Sequence, residues 1–216
     1  MLHNLSEQNS LVTTFIAELR DVNIQNDRMR FRRNLGRIGE IAAYEISKKL
    51  QWEEVEVTTP LGTAMSAELI SQPILATILR AGLPLHDGLL NYFDKADNAF
   101  IAAYRKHGKD GSFDIHMEYV TCPEIDGRVL IVSDPMLATG ASLVLALKEL
   151  LATGKPKEVH IVTAIACTVG IEHVMRNLPN THIWTGAVDD ELTAMAYIVP
   201  GLGDAGDLAF GEKMQQ

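Results

Sequence analysis

The residues best suited to chemistry lie where an apolar run gives way to a polar loop. Val129-Leu130-Ile131-Val132-Ser133 leads into Asp134-Pro135-Met136-Leu137-Ala138-Thr139-Gly140-Ala141-Ser142. The pattern predicts a buried strand ending at Asp134 and a helix opening over residues 139–142. The free N–H groups and positive dipole end of such a helix favour an anion, a phosphate above all. Thr139 and Ser142 add hydroxyl donors, and Gly140 lets the backbone come close to a ligand. Asp134 stands where a carboxylate can meet ribose hydroxyls or a hydrated Mg²⁺. Spacing alone leaves a plainer reading open, with Thr139 as an N-cap and Asp134 as a turn residue. The loop departs from GxxxxGK[ST], so ordinary ATPase or GTPase chemistry is not supported.

Three further segments follow strand-like runs. Ile78-Leu79-Arg80-Ala81-Gly82 ends one run with a fixed positive charge and a flexible glycine, a pair suited to a diphosphate; the plainer reading is a surface arginine before a helix. Tyr104-Arg105 ends another, and an arginine there can close over a phosphate held from below. The last is Tyr197-Ile198-Val199-Pro200-Gly201-Leu202-Gly203-Asp204-Ala205-Gly206-Asp207. It formally contains GxGxxG, but a dinucleotide site needs a helix and an acidic residue some 20 positions on, and the chain stops too soon. A glycine-rich loop can instead press its backbone amides and carbonyls against a flat ligand.

These segments need a scaffold. Residues 73–79, 100–104, 129–132 and 159–165 are short apolar runs of strand length, and 183–188 adds another. Helical patterns at 85–92, 142–152 and 171–177 lie between them. The alternation implies βαβ units: an α/β fold with a mostly parallel sheet flanked by helices. Ligands then bind outside the carboxyl ends of the strands, where all four segments fall. The first quarter predicts N-terminal helices, one with Leu11, Phe15 and Leu19 on a face, the next with Leu35, Ile38, Ala42, Ile46 and Leu50. The second opens with Arg28, Arg30, Arg32, Arg33 and Arg37, read as a solvated face. Val55 and Val57 alternate with glutamates, as in a half-exposed strand. Residues 105–127 break the rhythm and predict a projecting hairpin or flap.

The bulk properties narrow the classes. A chain of 216 residues suits a single domain, and a net charge of −9 argues against general nucleic-acid binding. Cys122 and Cys167 are far apart and are read as reduced thiols, which with the lack of a signal-like N-terminus or a membrane-length apolar run predicts a cytoplasmic protein. The histidines show no metal-ligand spacing, so no protein-held metal is expected. No GxSxG occurs, so a serine hydrolase of the α/β type is not supported.

Taken together, the segments at 78–82, 134–140 and 198–207 resemble those of the uracil phosphoribosyltransferases, in order and in spacing. The resemblance implies uracil and 5-phosphoribosyl 1-diphosphate as substrates, and UMP and diphosphate as products. It implies that residues 134–142 bind ribose and its 5-phosphate, that Arg80, Arg105 and Asp204 meet the sugar diphosphate, and that Ile198, Gly203, Asp204 and Ala205 form a C-terminal base-binding loop for uracil. Mg²⁺ would come bound mainly to the diphosphate, with no metal ligand set of the protein's own. Family members are homo-oligomers, which implies a homodimer or homotetramer, and some respond to GTP. Ala138 stands where purine-using relatives usually carry an acid. Ala141 departs from a common glycine, Leu208 from a common basic residue, and residues 106–127 match poorly. The alternatives are a uridine-nucleotide-sensing, RNA-binding regulator on the same scaffold and a transferase for another base.

Overall fold

The computed structural model describes residues 1–107 and 113–212, and of residues 103–107 and 113–118 the backbone only. In chain order the first elements are β1 (Leu2–Asn4), α1 (Leu11–Arg20), α2 (Arg28–Ser47), β2 (Trp52–Thr59), β3 (Gly62–Leu69), β4 (Ile74–Leu79) and α3 (Leu83–Leu90). Then come β5 (Asp97–His107), β6 (Phe113–Thr121), β7 (Val129–Ser133), β8 (Met136–Leu137), α4 (Ala141–Thr153), β9 (Glu158–Cys167) and α5 (Thr168–Asn177). The chain closes with β10 (Thr181–Asp189), β11 (Glu191–Leu192), β12 (Ile198–Val199) and α6 (Ala205–Phe210).

The main sheet runs β1-β10-β9-β7-β4-β5-β6, with β8 also paired to β9. Every neighbouring pair in it is parallel except β5 with β6. The predicted α/β architecture is therefore present, with the expected strands at 73–79, 129–132, 159–165 and 183–188 in place. Alternate residues serve opposite faces. Leu75, Ile131, Val162 and Trp184 join the core beneath α1, α2 and α3, while Ile74, Leu130, Ile161 and Ile183 join the core beneath α4 and α5. Burial on both sides is why these strands read as continuous apolar runs.

α1 begins at a capping box in which Ser10 and Thr13 exchange side-chain bonds. That start puts Leu11 at the first helical position, where it is exposed, and turns Val12, Ile16 and Leu19 inward. Leu19 is buried and Phe15 packs half-buried on the core as predicted, while Leu11 gives its inward place to Val12, one residue on. On α2, Leu35, Ile38, Ala42 and Ile46 are buried as predicted. A Cβ placed on Gly39 would stand 2.3 Å from the Leu85 carbonyl oxygen, so α2 and α3 touch backbone to backbone.

Two stretches differ from expectation. The strand read around Val55 and Val57 is half of a β2–β3 hairpin whose strands, among the described residues, pair only with each other. Both faces of the hairpin are largely exposed, the glutamates of β2 to solvent and Val57, Leu61 and Met65 with them. The alternating piece within the expected flap is β6, which lies antiparallel along β5 as a sheet edge. The tip of that flap, residues 108–112, lies outside the described residues. β1 was not anticipated, because three residues carry no readable period.

Candidate functional site

β4 and β7 are parallel neighbours, and Thr77 pairs with Ser133 near their carboxyl ends. The turn after β4 holds Arg80, Ala81 and Gly82, and its Leu79–Arg80 peptide is cis. A Cβ on Gly82 would meet the Ser133 carbonyl oxygen at 2.8 Å, so this turn lies against the end of β7. Its other side meets the tail. A Cβ on Gly206 would be 3.8 Å from Ala81 Cβ and 3.9 Å from Arg80 Nε. Arg80 Nη2 donates to Asp207 Oδ1 at 3.0 Å and to the Gly211 carbonyl at 2.6 Å. The Arg80 turn therefore sits between the two segments that the sequence singled out most strongly.

The loop after β7 is stitched to the next strand. Asp134 N–H donates to the Val162 carbonyl at 3.1 Å, and the Pro135 carbonyl accepts from Ala164 and Ile165 at 3.1 Å each. Met136 and Leu137 then form β8 against Ile165 and Ala166. Gly140 caps α4 with φ +77°, a backbone region costly for other residues. Ala141 N–H donates to Thr139 Oγ1 at 3.3 Å, and the first intrahelical bond closes only at Val144. The amides of Ser142 and Leu143 thus lie at the bare helix start. Asp134, Met136, Leu137, Ala138, Thr139, Gly140, Ser142 and Leu143 line a narrow recess of about 50 Å³. Pro135 is buried beneath the loop, and Ala141 is not part of the lining.

The tail is an ordered construction. β11 and β12 pair antiparallel, and the Val199–Pro200 peptide is cis. Gly201 has φ +54°, and a Cβ there would stand 2.1 Å from the Ile198 carbonyl oxygen, so the turn accepts glycine alone. Asp204 Oδ1 accepts from Gly206 N–H at 2.8 Å and Asp207 N–H at 3.0 Å, capping α6. The sequence reading took this stretch as a glycine-rich loop against a flat ligand and did not include the short helix α6. Leu202, Gly203, Asp204, Asp207, Leu208 and Glu212 line a recess of about 330 Å³, closed from the other side by Gln25, Asn26 and Arg28. Ile198 and Ala205 are buried behind it. The loop after β7 and the tail thus line separate recesses toward the carboxyl end of the sheet, bridged by the Arg80 turn.

Arg105 occupies β5 opposite Ile115, and its side chain lies outside the described residues. The arginines of α2 do more than face solvent. Arg32 donates to the Ala209 carbonyl at 2.6 Å, Arg30 pairs with Glu18, and Arg37 stacks on Phe15. Arg28 walls the larger recess, with its guanidinium 3.1 Å from where a Cβ on Gly211 would be. Sequence patterning missed this use because the contacts join helix α2 to a tail some 180 residues away. Among the described residues no three His, Cys, Asp or Glu side chains converge as a metal cage, and no helix is long and apolar enough to cross a membrane. Asp134 and Asp204 are hard oxygen donors of the kind that meet Mg²⁺ singly, with phosphate oxygens completing its shell.

Comparison with known proteins converges on one family. A family model described as uracil phosphoribosyltransferase matches residues 6–212. A Porphyromonas gingivalis protein named uracil phosphoribosyltransferase is 54% identical over 212 residues, covering 98% of both chains. A Methanothermobacter thermautotrophicus protein of the same name is 40% identical over 187 residues, 86% of this chain and 85% of that one. The solved structure of an Aquifex aeolicus protein superimposes with a TM-score of 0.87 at 32% identity, covering 98% of each chain.

Proposed function

The chain belongs to the uracil phosphoribosyltransferase family, and from that membership we propose how its residues divide the work. The reaction transfers the 5-phosphoribosyl group from 5-phosphoribosyl 1-diphosphate to N1 of uracil, giving UMP and diphosphate, a pyrimidine salvage step. The observation that carries the reading is the Arg80 turn, wedged between the loop after β7 and the glycine-rich tail.

In this reading the amides at the start of α4, with Thr139 and Ser142, hold the 5-phosphate, and Asp134 meets the ribose hydroxyls. Arg80 and Arg105 meet the diphosphate. Arg80 is held by Asp207 and the Gly211 carbonyl, so the incoming diphosphate displaces or shares those bonds. Asp204, oriented by its cap on α6, reaches the sugar diphosphate. Backbone groups of Ile198, Gly203, Asp204 and Ala205 read uracil. Arg28, beside Leu208 in the tail recess, returns positive charge to a wall where the family commonly has a basic side chain.

The C1–O bond to diphosphate breaks through a transition state with cationic sugar character. Arginine charge beside the diphosphate stabilises the charge that grows on the leaving group. Mg²⁺, carried mainly by the diphosphate, supplies further positive charge there. Uracil N1 forms the new bond from the opposite face and loses its proton, so alignment by the two loops contributes much of the rate. Uracil offers O4, N3–H and O2 in a row, which a donor, acceptor, donor set of backbone groups matches. Cytosine reverses two of these and leaves buried groups unpaired.

The chain acts as one phosphoribosyltransferase domain in the cytoplasm, without nucleic-acid or membrane partners; the family match across residues 6–212 supports the single domain. It self-associates as a homodimer or homotetramer. The self-paired β2–β3 hairpin, with Val57, Leu61 and Met65 exposed, supports this as the surface a second copy covers. GTP is an effector to be tested by adding it to the assay. Nothing favours an RNA-binding regulator or a different base. Incubation of the purified protein with labelled uracil, the sugar diphosphate and Mg²⁺ should yield UMP, with cytosine, hypoxanthine and orotate refused. No UMP under conditions where the Porphyromonas relative works would overturn the reading.

A further inference from the structure

We infer that Arg20 and Asp189 are positioning residues that lock the backbone of the base-reading tail and thereby set affinity and selectivity for the base, an inference that rests on the functional reading above. Arg20 ends α1 and Asp189 ends β10. They form a two-pronged ion pair, Nη2 to Oδ1 at 2.7 Å and Nη1 to Oδ2 at 2.8 Å. The same two groups grip Gly201. Arg20 Nη1 donates to the Gly201 carbonyl at 3.0 Å, and Gly201 N–H donates to Asp189 Oδ2 at 3.0 Å. Both polar groups of one peptide residue are therefore held by one ion pair.

Gly201 lies between Ile198 and Gly203, the stretch that reads uracil. A backbone reader has no side chain to adjust, so its aim is set by the dihedrals of the loop. Those dihedrals are tight here, with a left-handed Gly201 and no room for a Cβ. The ends of the clamp are fixed in the core. A Cβ on Gly186 would stand 2.6 Å from Ile16 Cδ1, so α1 lies directly on β10. Asp189 is registered against Cys167 of β9, and Gln25 Nε2 donates to the Arg20 carbonyl at 3.1 Å. Asp189 is 7% exposed, so the bonds form largely out of water, where paired charges hold geometry strongly. Neither side chain lines the recess by the tail, which makes their action on the base indirect.

The test uses the full-length enzyme and three variants, R20K, D189N and the apolar pair R20M/D189L. The last removes both charges together and so leaves no buried charge unpaired. Steady-state rates are measured with each substrate varied, with cytosine as competitor base, and hydrogen exchange is followed over residues 198–204. The expected result is a rise in KM for uracil of tenfold or more in R20M/D189L, with KM for the sugar diphosphate within twofold. Cytosine turnover relative to uracil should rise, exchange at Gly201 should quicken, and R20K should fall between. Two KM values that move together overturn the inference, as does a lowered melting temperature with KM for uracil and exchange at Gly201 unchanged. A wild-type protein that makes no UMP would instead sink the functional reading, while the exchange arm still reports on the clamp.

Discussion

At the carboxyl ends of β4, β7 and β10 the chain sets arginines, carboxylates and bare amides on tight loops, and at the amino ends of β9 and β10 it sets rings. His3 lies 3.9 Å from the Trp184 ring, nearly parallel to it, and His160 stacks on His182 at 4.9 Å. The indole N–H of Trp184 donates to His160 Nδ1 at 3.1 Å. An indole can only donate, so Nδ1 must keep its lone pair and His160 must stay neutral. Burial depresses the His160 pKa to about 4, with His182 adding to the effect and Glu158 opposing it. His3 and His182 are lowered too, first by burial, with Lys49 and the N-terminal amine nearby. In the proposed reading one end of the sheet offers charge to ligands; the other keeps its histidine rings neutral where the edge strand β1 docks. The contrast teaches that polar side chains at the two ends answer to different demands, recognition at one and docking at the other.

The largest expected effect tests the charged end. Arg80→Ala should lower kcat/KM by about 10²- to 10³-fold, with a small change in melting temperature because the side chain is 39% exposed. A loss under tenfold would break the comparison. Next comes acid stability. The histidines bind fewer protons folded than unfolded, so stability is full above the ordinary histidine pKa and falls as pH drops from about 6.5 towards 4. His160 contributes on the order of 3 kcal/mol to that fall, read by urea unfolding at stepped pH. Trp184→Phe removes the donor to His160 and should narrow the window by raising its pKa; no pH dependence in the wild type would refute the neutral stack. His3→Ala should cost about 1 kcal/mol of stability through lost stacking while leaving both KM values within twofold. Least of all, Thr139→Ala should raise KM for the sugar diphosphate by about threefold to tenfold, the worth of one hydrogen bond, without touching KM for uracil.

Much of this was readable in the chain itself. The strands read at 73–79 and 129–132 announced themselves as short apolar runs rich in branched residues, and Gly140 with Thr139 announced the helix start, because each signal fits within one element and its cap. Leu11 misled by a single position because a capping box, not the apolar spacing, fixes where α1 begins. The glutamate-rich β2 read as half-exposed because alternation is the same whether the other face meets a core or nothing. The arginines of α2 read as solvated because only the folded tail gives Arg32 and Arg28 something to meet.

The alternation of the main strands and helices from β4 to β10, and the loops that end those strands, was determined by the sequence alone, since strand burial and helix capping act over a few residues. Only the tertiary structure decided that Arg80 meets Asp207 across 127 positions and that Arg20 meets Asp189 across 169. Such pairs leave no period and no spacing to read. They exist because parallel crossovers bring distant strand ends to one end of the sheet, where opposite charges meet, the more buried Arg20–Asp189 pair more strongly than the half-exposed Arg80–Asp207 pair.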